Sequence, residues 1–228
     1  MWDIHINFSS KYRFIMVDFT HRNIALDTYF DKIFYINLKR DTLRNEHIIN
    51  QFNRFGITNY ERIDAVELSN LPATDIYRNF IKNNRKYVLG SLSCKASHLK
   101  CIGIAKERNY SKVLILEDDI EFLENPHQLL TRNCEILNDW DMLYFGGLVE
   151  PFFRNQIVGG YAYAVKNTLF DDIINMANAS GMEIDNFYAK IIQHMSYNYN
   201  QSGKYNIRVI LPFNLVGHKF FNSNIQGD

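Results

Sequence analysis

From Lys32 onward, short apolar runs of strand length alternate with longer stretches whose apolar positions recur every three or four residues. Ile33-Phe34-Tyr35-Ile36 predicts a short buried strand, and Thr42 to Phe55 predicts an amphipathic helix with Asp41 as its cap and Gly56 as its stop. Ile57 to Asp64 reads as a second strand. Residues 67–88 are polar and weakly periodic, which suggests a surface excursion. Ser91 to Arg108 then places Leu92, Ala96, Leu99, Ile102 and Ala105 on one helical face. Lys112 to Leu116 is the kind of continuous apolar strand found in the middle of a parallel sheet. Helix over Pro126 to Leu137, strand over Met142 to Phe145, strand over Gly160 to Val165 and helix over Thr168 to Ala177 complete the pattern. Such alternation predicts an α/β domain whose functional groups collect at the carboxyl ends of its strands.

Residues 1–31 follow a different pattern. Trp2, Ile4, Ile6 and Phe8 alternate with polar residues, Ser9-Ser10-Lys11 can turn, and Tyr12 to Phe19 is rich in strand formers. A hairpin-like extension over 1–31 and a single domain over 32–228 are therefore expected.

Composition narrows the function classes. Hydrophobic residues make up 46% and charged residues 22% of the 228, so a packed core is expected and disorder is excluded. With 25 Lys+Arg against 25 Asp+Glu there is no basic field to draw the chain to nucleic acid, and none is expected as a partner. The longest apolar runs, Phe14–Val17 and Val113–Leu116, are far below the ~18 residues of a membrane span. The N-terminus does not read as a secretory signal, so a soluble cytoplasmic location is the expectation. Three cysteines without a CxxC pair argue against a disulfide framework, and Cys94 and Cys101 read as buried thiols.

The segment with most chemical content is Glu117-Asp118-Asp119, which follows directly on the apolar strand. Three adjacent carboxylates leaving water would repel one another unless a cation lies between them, and a hard divalent ion takes carboxylate oxygen while leaving positions for phosphate. The alternative is a solvated loop or helix start that opposes the helix dipole. Glycine-based phosphate cradles of the GxxxxGK[ST] and GxGxxG types are absent, as are HExxH and GxSxG. A nucleotide bound here would have its diphosphate neutralised by a metal rather than by backbone amides.

In order along the chain stand Phe34-Tyr-Ile-Asn-Leu38 with Arg40 and Arg44; Ile63-Asp-Ala65; Gly90-Ser-Leu-Ser-Cys94-Lys-Ala-Ser97-His98-Leu99; Leu116-Glu-Asp-Asp119; Trp140-Asp141; Gly160-Tyr-Ala-Tyr-Ala164; Ile184-Asp185; and Ser223-Asn-Ile-Gln-Gly227. Across roughly residues 32–228 this series resembles glycosyltransferase family 25, the lipooligosaccharide β-galactosyltransferase and collagen galactosyltransferase family. Ser93 stands where that family usually has Gly.

The resemblance implies a fold of the GT-A type, a Rossmann-like mixed and mostly parallel sheet flanked by helices. It also implies a UDP-sugar donor, usually UDP-galactose, Mn²⁺ or Mg²⁺, inversion at the anomeric carbon, and a glycan or hydroxylysine acceptor. On that basis Asn37, Leu38, Arg40, Arg44 and Asp64 are expected around the nucleotide, with Asp118 at the ribose or donor sugar. Glu117 and Asp119 are expected on the metal with His218 as a third ligand. Asp185 is expected as the base, with Glu183 or helix capping as the alternatives, and His98 either lines the sugar pocket or bonds within the core. A non-catalytic glycan- or partner-binding member of the same fold is the competing expectation. A nucleotidyltransferase or phosphohydrolase built on a similar strand is the third.

Overall fold

The structure, a computed structural model, describes residues 23–71, 86–150, 156–193, 195, 205–209 and 216–218. Among these, β1 (Lys32–Asn37), β2 (Tyr60–Asp64), β3 (Lys112–Glu117), β5 (Met142–Tyr144), β8 (Ala162–Lys166) and β9 (Ile207–Val209) form one sheet in the order β2-β1-β3-β8-β5-β9. β1 pairs in parallel with both β2 and β3, and β5 in parallel with β9. β8 runs antiparallel between β3 and β5. The expected mixed, mostly parallel sheet is present, with one reversed strand at its centre. Two small antiparallel pairs flank it: β4 (Ile120–Phe122) with β10 (Val216–His218), and β6 (Leu148–Glu150) with β7 (Gln156–Val158).

Strand alternation sends the side chains of each strand into two cores. Tyr35, Leu114, Leu116, Ala162 and Ala164 face one layer with Ile48 and Phe52 of the helix Thr42–Phe55. Phe34, Val113, Ile115, Tyr163 and Val165 face the other, with Cys101, Ile102 and Ala105 of the helix Lys86–Glu107 and Leu169 and Ile173 of the helix Asn167–Ala179. The first helix is bounded as its sequence suggests: the Asp41 carboxylate accepts from Arg44 N, and Gly56 closes the end with φ 65°, a left-handed value that glycine adopts without strain. Ile57 N then bonds back to Phe52 O, so the second strand starts at Tyr60 rather than Ile57.

The boundary at residue 31 shifts. Leu26–Tyr29 is a short helix, and Leu26 and Phe30 are buried in the first core. The Phe30 ring packs against Trp140 and Phe145, and Tyr29 Oη accepts from Trp140 Nε1 at 2.8 Å. Residues 24–31 thus belong to the packed domain, Leu26 and Phe30 sharing a core with Leu129 and Leu130 of the Pro126–Arg132 helix; of the hairpin-like extension expected over residues 1–31, residues 1–22 lie outside the described residues. Asp27 ties this helix to the second strand by accepting from Thr58 N at 3.1 Å and Asn59 N at 2.9 Å. Asp27→Ala should lower stability by about 1 kcal/mol in chemical denaturation with the slope unchanged. Among the described residues, no helix is long and apolar enough to cross a membrane.

Candidate active site

Because β1, β2 and β3 are parallel, their carboxyl ends lie along one edge, and a cavity of about 370 Å³ opens there. Asn37, Leu38, Arg40, Arg44, His98, Glu117 and Asp118 all line it, together with residues 65–69 after the second strand and Gly90, Ser93, Cys94 and Ser97 of the helix Lys86–Glu107. At the end of the second strand the wall is made by Ala65 and Val66; the Asp64 carboxylate points to solvent and pairs with Arg62 at 3.2 Å. Ser97 Oγ donates to Ser93 O and accepts from Val66 N, each at 2.8 Å, which fixes the loop against the helix.

The acidic triplet is held by a polar network. Asn37 Nδ2 donates to Asp118 Oδ2 at 2.7 Å, while Asn37 Oδ1 is buried with no hydrogen-bond partner among the described residues. Arg44 is 9% exposed, so it is not on a solvated helix face. Its Nη1 donates to Asp118 Oδ1 at 3.1 Å and Asp119 Oδ2 at 3.0 Å. Its guanidinium is therefore the counter-ion of the two aspartates, and it also lines the cavity where the resemblance expects the nucleotide. Burial raises the Asp118 carboxyl to about 6, against the lowering effects of Asn37 and Arg44. Arg40 extends outward and pairs with Glu67 at 2.7 Å.

His98 is fully buried between the cavity and the core. It lines the cavity, and its Nδ1 lies 3.0 Å from Tyr163 Oη, which in turn lies 2.9 Å from Tyr188 Oη. Its Nε2 is 3.4 Å from Glu117 Oε1. Asp185 stands in the first turn of a short helix, Ile184–Phe187, one residue beyond the start, so it does not cap it. Burial, reinforced by Glu117, raises its carboxyl to about 6, with His98 and the Gly160 backbone N–H acting the other way. A Cβ on Gly160 would lie 2.6 Å from Asp185 Oδ1, so only glycine lets this backbone approach the carboxylate. Glu183 is engaged elsewhere, accepting from Ser91 Oγ and Asn186 Nδ2. Lys95, buried along its stem, donates through Nζ to Ala177 O and Met182 O and so anchors the segment that carries Asp185.

His218 lies in β10, where its backbone pairs with Ile120, the residue after the triplet. Sequence reasoning held Tyr163, Gly160 and Lys95 within its motifs but gave them no role, because they act through other side chains or through backbone. It also missed the cavity-lining face of Cys94, which is half-buried rather than buried; Cys101 is fully enclosed as expected.

A cavity walled by Asn37, Glu117 and Asp118 at the carboxyl edge of a mixed, mostly parallel sheet defines an α/β protein with its cleft at the strand ends. The particular family follows from the sequence comparison: residues 30–204 match the model of Glycosyltransferase family 25 (LPS biosynthesis protein), and the chain belongs to that family. A Glycosyltransferase 25 family member of Drosophila melanogaster is 32% identical over 155 residues, covering 58% of this chain and 25% of the relative. Procollagen galactosyltransferase 2 of Mus musculus is 28% identical over 130 residues, 51% of this chain and 21% of the relative. The chain thus spans about a quarter or less of the length of these relatives. Among solved structures, a glycosyltransferase involved in the glycosylation of the major capsid of PBCV-1 aligns with a TM-score of 0.47 at 8% identity, covering 78% of this chain and 80% of that one.

Proposed function

We propose that this chain transfers a hexose, with galactose the first candidate, from a UDP-sugar to a hydroxyl of a glycan or of hydroxylysine, with inversion. The observation that carries the reading is the placement of Asn37, Glu117 and Asp118 on the cavity wall, with Asp185 near enough for the Glu117 charge to act on it. The name of the mouse relative, a procollagen galactosyltransferase, supports galactose and a collagen-type acceptor.

Asn37 Oδ1 and Leu38 suit a uracil, which offers an N–H donor and a flat apolar face. Glu117 and Asp118 line the cavity, Asp119 follows them with Arg44 as a fixed cation beside both aspartates, and such hard oxygen donors suit Mn²⁺ or Mg²⁺. Glu117 and Asp119 would hold the ion, with His218 on the strand paired to Ile120 as a third ligand. Once bound, it would stabilise the charge on the departing diphosphate. Asp185 takes the proton of the acceptor hydroxyl as that oxygen bonds to the anomeric carbon and the carbon–oxygen bond to UDP breaks on the opposite face. A carboxyl near 6 is largely ionised at neutral pH and still basic enough for this task.

Thermal melts with UDP-galactose, UDP-glucose and UDP-N-acetylglucosamine test the reading. At a hundredfold excess over Kd, donor plus Mn²⁺ should raise Tm by about 5–10 °C. Asp119→Asn should remove most of that gain. Failure of every UDP-sugar to shift Tm would overturn it.

A further inference from the structure

Cys94, His98 and Glu117 converge on a point in the cavity wall that the transfer reaction does not use as a unit. One ligand atom from each, the Cys94 thiol, a His98 ring nitrogen and a Glu117 carboxylate oxygen, lies within 4.8 Å of the other two. Cys94 and His98 are four residues apart on one helix and therefore share a face, while Glu117 is supplied by the end of β3. His98 Nε2 is the informative atom. The side chain is fully buried, Nε2 makes no hydrogen bond among the described residues, and its neighbour across the cluster is Glu117 Oε1 at 3.4 Å. That separation is close to the ligand–ligand edge of a tetrahedral zinc site, whose bonds of about 2.0–2.3 Å place ligand atoms roughly 3.3–3.8 Å apart.

We propose that Cys94, His98 and Glu117 form a second cation site, for a thiophilic divalent ion such as Zn²⁺, distinct in ligand chemistry from the oxygen-donor site of Glu117 and Asp119. Thiolate and imidazole select zinc over magnesium and manganese. Tyr163 is the outer partner such a site needs: with the His98 proton on Nδ1, that N–H donates to Tyr163 Oη, and the Nε2 lone pair faces the ion. Tyr163 in turn donates to Tyr188 Oη, so the tautomer is held from behind. The thiol proton leaves to solvent as the sulfur–metal bond forms, and a fourth position opens onto the cavity for water. Glu117 belongs to both sites, so the two ions compete for its carboxylate. If the cavity holds a UDP-sugar as proposed above, zinc in this position inhibits transfer; the zinc site itself does not rest on that reading.

Cobalt(II) titration of the metal-free full chain tests the site without any donor. The expected result is one equivalent of Co²⁺ giving a thiolate-to-metal charge-transfer band that Zn²⁺ abolishes and a hundredfold excess of Mg²⁺ does not. The band should be absent in Cys94→Ser. In the unmutated chain, one equivalent of Zn²⁺ should protect Cys94 from alkylation at least tenfold, read by peptide mass spectrometry, while Cys134 remains unprotected. The site is overturned if no thiolate band forms, if the band persists in Cys94→Ser, or if Zn²⁺ leaves Cys94 alkylation unchanged. Loss of all UDP-sugar binding with an intact cobalt band would remove the transferase reading and leave the zinc site standing.

Discussion

Asp185→Asn is expected to lower the transfer rate by about 10²–10⁴-fold while the UDP-sugar still stabilises the protein, because the variant removes the proton acceptor and leaves the donor cavity in place. The pH profile separates this role from a merely structural one. With the wild-type carboxyl near 6, kcat/KM should fall on the acid side with a midpoint in that region, and the limb should vanish in the variant. Stability moves the opposite way. Asp118 and Asp185 both bind protons more readily in the folded chain than in the unfolded one, since each rises from 3.8 to about 6. Their contribution is therefore fully present below about pH 4 and is lost as pH rises through about 6. Metal-free protein should show this loss in chemical denaturation at pH 4.5 against pH 7.5, and Mn²⁺ at the higher pH should oppose it.

Arg44→Met should be the most destabilising change at the site. Removing one partner of a buried charge cluster costs about 3–5 kcal/mol, on the order of 10 °C in Tm for a chain of this size, since Asp118 and Asp119 both lose the guanidinium. The deficit should shrink at pH 5, where Asp118 can take up a proton instead. Arg40→Met provides the contrast: its pair with Glu67 is 60% and 42% exposed, and the expected change is below about 0.5 kcal/mol. Equal losses for both variants would contradict the counter-ion role of Arg44.

The contrast between these arginines shows where sequence reading stops. β1, β3 and the helix after β1 were legible because apolar runs and caps are local signals: Thr42–Phe55 has the bounds its Asp41 and Gly56 announce. The reversal of β8 was not legible, because a period of two carries no direction. The helix expected through Leu137 ends at Arg132, where Asn133 Nδ2 bonds back to Leu129 O and a separate turn forms at Ile136–Asn138. At the site, the cavity gathers Asn37, His98, Glu117 and Asp118, since these sit at strand ends or on a helix face that topology brings to one edge. Which side chain neutralises which carboxylate depends on the packing of helix against strand. Arg40 and Arg44 lie one turn apart, yet one pairs at the surface and the other inside.

β8 also joins two halves of the molecule. It follows β3 and β5 in the chain yet lies between them, so the half-sheets β2-β1-β3 and β5-β9 are joined only when it inserts. Glu117 N bonds to Tyr161 O, and Tyr163 reaches His98, through this same strand. The cavity is lined from the β2-β1-β3 half and the helix Lys86–Glu107 alone, so ligand binding reports on that half, while the Tyr163–His98 contact reports on its union with β5 and β9.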